Sequence, residues 1–142
     1  MSKIVNISEA ASIAIHSMVL IANSERLLNA NDLSSQMKFS KNHLSKVLQS
    51  LTKNQYLESV RGPKGGFLLG KKPEQINLLE LFELVDGKFE LEECHGNCAS
   101  CMFRYCIFGG LTSKFAVEFH QYLEQTTLRD LIKSNQYETY NH

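Results

Sequence analysis

Cysteine is absent from the chain except between positions 94 and 106, tryptophan is missing altogether, and proline occurs only twice. No apolar run approaches the roughly 18–20 residues that a membrane-spanning helix needs, so a membrane protein is not expected. The chain also lacks a basic start followed by an apolar core and a small-residue cleavage site, which argues against export. We therefore expect a cytoplasmic protein, where clustered cysteines bind metal more readily than they form disulfides.

Acidic residues are almost missing from positions 38–72, where Glu58 alone faces seven lysines and one arginine. This block carries a charge of +7, whereas positions 1–37 carry −1 and positions 73–142 carry −6, so the whole chain is neutral. A solvated surface is the ordinary explanation for a run of charges. So large an excess of positive charge in one block of a neutral protein instead favours a surface that binds a polyanion.

The length of 142 residues suits one domain, or a small domain with an appended element. We predict a first unit over residues 1–88 and a second over residues 89–142. No nucleophile–base pair or carboxylate dyad stands out, so an enzyme is not expected. The glycine-rich stretch at 62–66 lacks the Gly-Lys-Ser/Thr ending of a phosphate-binding loop and leads into a strand.

Three helices are predicted in the first unit, with Ser8, Asn29 and Ser40 suited to cap their starts. The third helix runs to about Asn54. Its apolar residues recur at i, i+3, i+4 and i+7 and form one face, made of Leu44, Val47, Leu48 and Leu51. Two short helices followed by a third with a polar front and an apolar back match the order of a helix-turn-helix.

The opposite face of the third helix is polar and carries no acid, whereas an ordinary exposed face mixes both charge signs. Such a face suits the DNA major groove, with amides meeting base edges and lysines meeting phosphates. The residues predicted to contact DNA from this helix are Ser40, Lys41, Asn42, Ser45, Lys46 and Gln49.

A hairpin is predicted next, with strands at 56–60 and 67–69 around a glycine-rich tip. Arg61 and Lys64 make this tip a basic wing suited to a phosphate or the minor groove. An ordinary hairpin that closes the domain would use the same glycines. The combination of a helix-turn-helix with a basic hairpin is more specific than either part alone, and it indicates a winged helix-turn-helix.

Three further helices are predicted beyond the wing. Asn77 and Glu80 form the start of a helix that ends before Gly87, and a long helix begins near Thr112 or Ser113. The long helix carries an aromatic stripe of Phe115, Phe119 and Tyr122. Such a stripe is more often core, but the preceding unit has enough helices to close its own core, so we expect this helix to pair with a second copy. Thr127 and Asp130 then start a last short helix, followed by a polar tail.

All four cysteines lie within thirteen residues, at Cys94, Cys98, Cys101 and Cys106, around a Gly-Asn pair. Structural thiols scatter through a core as small apolar residues, so this spacing indicates a loop folded about a metal or cluster. Four thiolates suit an iron–sulfur cluster (2Fe-2S or 4Fe-4S) and also zinc. A switch in which two of these thiols join on oxidation is a third interpretation.

At this point the residues resemble a known family. The pattern from Ser59 to Gly70, reading Ser-Val-Arg-Gly-Pro-Lys-Gly-Gly-Phe-Leu-Leu-Gly, together with the leucines at 33, 44, 48 and 51, is similar to winged-helix repressors of the IscR, NsrR and RirA type, the Rrf2 family. Cys101-Met-Phe-Arg is similar to the Cys-Pro-Leu-Arg of that family, and the resemblance continues through Tyr122–Leu131. It covers nearly the whole chain.

The resemblance implies a bacterial homodimer that binds a palindromic operator in double-stranded DNA and holds an iron–sulfur cluster in the loop before a long dimerisation helix. It also implies that the wing arginine is Arg61. Family members commonly use three cysteines and a variable fourth ligand, which can be an acidic residue near the start of the partner's first helix. Glu9 of the partner subunit matches that position.

Two ligand sets therefore stay open: four cysteines of one subunit, or Cys94, Cys101 and Cys106 with the partner's Glu9. By its position alone, Glu9 more often stabilises the dipole of its own helix. We expect a transcription regulator that senses redox, nitric oxide or iron status, with the cluster setting the spacing of two recognition helices near one DNA turn, about 34 Å. The alternatives are a zinc-stabilised or thiol-switch regulator and an iron–sulfur carrier protein.

Overall fold

The computed structural model describes residues 6–91 and 101–134, and their side chains except at positions 133 and 134. Its helices are α1 (Glu9–Asn23), α2 (Ala30–Met37), α3 (Lys41–Lys53), α4 (Leu78–Asp86), α5 (Leu111–Gln125) and α6 (Leu128–Ser134). Two antiparallel strands, β1 (Leu57–Val60) and β2 (Gly66–Leu69), follow α3, and a 3₁₀ turn at Pro73–Gln75 precedes α4. No helix in the described ranges is long and apolar enough to span a membrane.

Short-range capping hydrogen bonds fix where the first three helices begin. The Ser8 hydroxyl accepts from the backbone N–H of the third residue of α1 at 2.9 Å. Asn29 and Asp32 form a reciprocal capping box at the start of α2, with both N···O distances at 2.9 Å. The Ser40 hydroxyl accepts from the N–H of His43 at 3.2 Å, so α3 begins directly after it. The three predicted N-caps are confirmed, because each depends only on residues within one turn.

The main core is built around α1, which contacts α2, α3, α4, α6 and β2. Leu128 of α6 is fully buried in this core, and its N–H donates to the Ile76 carbonyl at 2.8 Å. The last helix thus packs onto α1 and onto the segment that precedes α4. The division into units 1–88 and 89–142 stays a prediction. Side chains with almost no exposure in this core include Ile13, Met18, Leu33, Leu44, Leu48, Leu51, Leu57, Ile76 and Leu81.

A smaller aromatic cluster joins α4, α5 and the segment that leads into the cysteine loop. Phe82, Phe89 and Phe119 have ring centroids 5.7 to 6.0 Å apart, and their rings are tilted or edge-on. Phe89 also contacts the ring of His120 at 5.2 Å. Residues on both sides of the loop are therefore held against each other by aromatic packing.

The start of α5 differs slightly from the prediction of Thr112 or Ser113, because the helix begins at Leu111. Gly110 precedes it with φ +72°, a left-handed conformation that glycine adopts without strain. This glycine provides no side-chain cap, so no capping residue in the sequence marks the boundary.

Candidate nucleic-acid interface and metal site

The recognition helix of the predicted helix-turn-helix is α3, and it separates an apolar back from a polar front. Leu44, Val47, Leu48 and Leu51 are buried in the core. The front side chains are exposed, except Ser45, which is half-buried; they are Ser40, Lys41, Asn42, Lys46 and Gln49. The helix contains no acid, and Lys53 adds a further exposed base in its last turn. This face is thus free to meet a polyanion.

The hairpin carries the predicted wing, and its geometry follows from two glycines. Gly62 has φ +119°, and a Cβ at Gly65 would lie 2.1 Å from the Val60 carbonyl oxygen, so neither position accepts a side chain. The tight tip leaves Arg61 and Lys64 exposed. Neither side chain has an ion pair in the described part of the chain, so both cations are available to phosphates.

Glu9 lies in the first turn of α1 and is exposed. Its carboxylate Oε2 is 3.0 Å from Nδ1 of His43, the third residue of α3. The residue pattern alone does not single out His43, because the contact depends on how α1 crosses α3. Within its own chain, Glu9 therefore contacts the recognition helix, and its role as a ligand from the partner subunit stays a prediction.

The N-terminus of α1 also contacts the segment that leads into the cysteine loop. The Ser8 hydroxyl donates to the carboxylate of Asp86, the last residue of α4. Gly87 ends α4, and the Phe89 N–H donates to the Glu83 carboxylate at 2.9 Å. Ser8 and Glu9 thus connect the loop entrance on one side and the recognition helix on the other.

Two of the four predicted metal ligands, Cys94 and Cys98, lie outside the described residues. Cys101 and Cys106 are described, and both are exposed free thiols. Backbone N–H groups lower the pKa of the Cys106 thiol, that of Gly110 most and that of Phe108 next. The start of α5 therefore favours a thiolate at Cys106.

The donor chemistry fits a thiophilic metal or cluster, because Cys101 and Cys106 are accessible and one of them is stabilised as thiolate, the form that binds metal. Within residues 6–91 and 101–134, no three His, Cys, Asp or Glu side chains come together closely enough to hold a metal ion. His16 is exposed, and its Nδ1 lies 2.6 Å from the Ser12 carbonyl oxygen in its own helix.

The predicted aromatic stripe of α5 divides between two faces. Phe119 packs against α4 together with the buried Leu123, whereas Phe115 and Tyr122 are exposed at 42% and 55%. Leu111 shares their side of the helix, one turn before Phe115, and is 52% exposed.

The loop before α5 also exposes large apolar side chains. They belong to Met102, Phe103, Tyr105, Ile107 and Phe108. Both the described loop residues and this side of α5 therefore leave large apolar side chains uncovered.

Comparison with known proteins agrees with these features. The family model of Rrf2, an iron-dependent transcriptional regulator, matches residues 7–134. NsrR of Bacillus licheniformis, an HTH-type transcriptional regulator, is 38% identical over 112 residues, which make up 78% of this chain and 78% of that protein. NsrR of Bacillus subtilis is 32% identical over 112 residues, 78% of this chain and 77% of that protein. Both relatives are HTH-type transcriptional regulators.

Solved structures share the fold. CymR, described as the global cysteine regulator of B. subtilis, superposes with a TM-score of 0.74 at 20% identity, over 92% of this chain and 98% of CymR. IscR of T. potens superposes with a TM-score of 0.69 at 19% identity, over 93% of this chain and 89% of IscR. The predicted winged-helix fold class is confirmed. The chain belongs to the Rrf2 family of transcriptional regulators.

Proposed function

We propose that the protein is a cytoplasmic homodimer that binds a palindromic DNA operator and senses redox, nitric oxide or iron status through an iron–sulfur cluster held by its cysteine loop. The observation that carries the DNA-binding part is the pairing of an acid-free recognition face with a basic hairpin tip. Lys41, Lys46, Arg61 and Lys64 are all exposed there. Phosphate contacts from such residues set the register, and the amides of Asn42 and Gln49 are suited to adenine edges.

The dimer part of the proposal is supported by the exposed side of α5. Leu111, Phe115 and Tyr122 are large apolar side chains that a monomer would leave in water. Two such helices packed together would bury them, and a twofold interface would give two recognition helices the symmetry of a palindrome.

The cluster part is supported by the donor set. Cys101 and Cys106 would be ligands, with Cys94 and either Cys98 or the partner's Glu9 completing the set. A bound cluster would supply reactivity toward nitric oxide and oxygen. The chain's own part is to present a stabilised thiolate at Cys106, next to the first turn of α5. Loss of a ligand there would free the loop that runs from the segment of Phe89, which packs against Phe119 of α5, to the start of that helix.

A second candidate is a thiol switch without a cluster. It is favoured by one observation, that Cys106 is an exposed thiol with a lowered pKa. Oxidation of Cys106 together with another loop cysteine would then form a disulfide, and the two electrons and two protons lost from the thiols would reduce a peroxide to water and an alcohol, or another disulfide to two thiols. Iron and sulfide analysis of the protein purified without oxygen separates the two candidates, and one zinc per chain would favour a structural metal instead.

The experiment that tests DNA binding uses charge-removal variants in the protein purified without oxygen. An operator is selected from a random duplex pool, and its affinity is measured by fluorescence anisotropy over a series of salt concentrations. Lys46→Ala and Arg61→Ala should each weaken binding and reduce the salt slope by about one. Lys114→Ala is the matched control, because Lys114 lies on α5 and pairs with Glu118 at 3.9 Å.

The outcome decides between a regulator and a carrier. If the wild-type protein selects no duplex, or if Lys46→Ala and Arg61→Ala behave like Lys114→Ala, the winged helix is a scaffold and the DNA-binding proposal is wrong. In that case the iron–sulfur carrier interpretation is favoured, provided that iron and sulfide are present.

A further inference from the structure

A groove separates the recognition helix from the wing. Its volume is about 460 Å³. Ala30, Leu48 and Phe67 line it with apolar surface, and Ser45, Lys53 and Ser59 contribute polar groups. The groove therefore lies between the two elements that the proposed function assigns to DNA.

The groove follows from the register of the hairpin. Ser59 pairs directly with Phe67, so their side chains lie on the same face of the two strands. Two pairs closer to the base, on the same face, Leu57 lies opposite Leu69, and Leu57 is buried in the core. The Ser59 side chain is too small to extend the apolar layer of Leu57 and Leu69 toward α3. The core thus ends at Ser59, and the space beside Phe67 opens to solvent.

The polar groups of the groove are suited to an anion. None of the residues that line it is acidic, and Lys53 is exposed. The Ser45 and Ser59 hydroxyls make no hydrogen bond within the described ranges, so both can donate to a ligand. The Thr52 hydroxyl, by contrast, already donates to the Leu48 carbonyl at 2.8 Å.

We propose that this groove holds the sugar–phosphate backbone of one DNA strand, an inference that rests on the proposed function. A strand at the edge of the major groove has to cross between α3 and the hairpin if both contact the same duplex. Deoxyribose presents an apolar surface that fits Ala30 and Phe67, which are half-buried. The adjoining phosphate accepts hydrogen bonds from Ser45 and Ser59, and Lys53 neutralises it.

These contacts fix the position of the protein on DNA without reading its sequence. Lys53, Ser59 and Phe67 become positioning residues of the interface, in addition to the side chains of the recognition helix and the wing tip. An open groove with a cationic rim suits a continuous backbone better than it suits an enclosed small molecule, for which burial of most of the ligand surface is typical.

The test fills the groove without changing charge. Ser59→Phe places a ring beside Phe67, and Val60→Phe is the matched control, because Val60 is exposed on the other face of the same strand. Aromatic residues are well tolerated in strands, and circular dichroism with thermal melting verifies that both variants fold. Each is measured against the duplex selected by the wild type and against a random-sequence duplex, and hydroxyl-radical footprinting reports the accessibility of each deoxyribose.

Ser59→Phe should lose the protection of the nucleotides that cross the groove, and its affinity for both duplexes should fall by about tenfold, as expected for a lost hydrogen bond to a charged group. Lys53→Ala should reduce the salt slope by about one. Val60→Phe should keep the wild-type footprint. If the wild type binds DNA while Ser59→Phe retains its affinity and footprint, the groove proposal is wrong and the proposed function stands. A wild type that binds no duplex overturns both.

Discussion

The carboxylate of Glu9 lies 3.0 Å from the imidazole of His43, Oε2 to Nδ1. This contact joins the first turn of α1 to the first turn of the recognition helix. Ser8, the adjacent residue, donates to Asp86 at the end of α4. The N-terminus of α1 thus contacts both the recognition helix and the start of the chain segment that enters the cysteine loop. A structural change in that segment can therefore be transmitted to α3 through the Ser8–Asp86 and Glu9–His43 contacts.

Glu9 also allows the two ligand sets of the proposed cluster to be distinguished. We expect only one of the variants Glu9→Ala and Cys98→Ser to change the visible absorption of the protein purified without oxygen, because the other three ligands are shared by both sets. Glu74→Ala is the control, since Glu74 is likewise exposed near a helix start. Spectra that change in both variants, or in neither, would contradict both ligand sets.

The exposed side of α5 predicts the quaternary structure. Phe115→Glu should convert the dimer into a monomer, because a charge replaces an apolar side chain at the proposed interface. Val117→Glu provides a close control, since Val117 is 40% exposed and Phe115 is 42% exposed, but Val117 lies on another side of the helix. Sedimentation analysis measures both. A dimer that persists in Phe115→Glu but dissociates in Val117→Glu would place the interface elsewhere.

Leu128 predicts that α6 is part of the main core. Its side chain is fully buried, so Leu128→Ala should lower the free energy of unfolding by about 2–5 kcal/mol, the range for leucine truncation in a packed core. The neighbouring Arg129→Ala should have little effect, because Arg129 is exposed. Urea denaturation at fixed protein concentration measures the difference. A loss below about 1 kcal/mol would show that α6 is only loosely attached.

Cys106 predicts a pH-dependent reactivity of the metal-free protein. Because backbone N–H groups lower the pKa of its thiol, more thiolate is present at neutral pH when the chain is folded than when it is unfolded. Iodoacetamide should therefore alkylate Cys106 faster in the folded protein than in urea, and the ratio should approach one as the pH rises past about 8.5, the ordinary thiol pKa. Mass spectrometry of the Cys106 peptide measures both rates. Equal rates at pH 7 would contradict the stabilised thiolate.

The sequence predicted most of the secondary structure because the decisive interactions are local. Ser8, Asn29 and Ser40 cap helices within one turn, and Asn77 and Thr127 do the same for α4 and α6. The acid-free face of α3 also follows from its periodicity alone. These features need no knowledge of which elements pack together.

Features that depend on tertiary packing could not be predicted from the sequence. Phe115, Phe119 and Tyr122 form one stripe by spacing, but only the approach of α4 covers Phe119 and leaves the other two exposed. The Glu9–His43 contact depends on the crossing of α1 and α3 in the same way. The full ligand set of the cysteine loop stays a prediction, because two of its thiols lie outside the described residues.

The central claim is that the cysteine loop controls DNA binding through a bound cluster. Operator affinity, measured without oxygen for the loaded wild type and for a variant with serine at Cys94, Cys98, Cys101 and Cys106, tests it most directly. We predict that the variant lacks iron, sulfide and visible absorption and that its affinity differs from that of the wild type by at least about tenfold, a typical coupling between two sites. Identical affinity of a folded, dimeric variant and an iron-loaded wild type would contradict the claim.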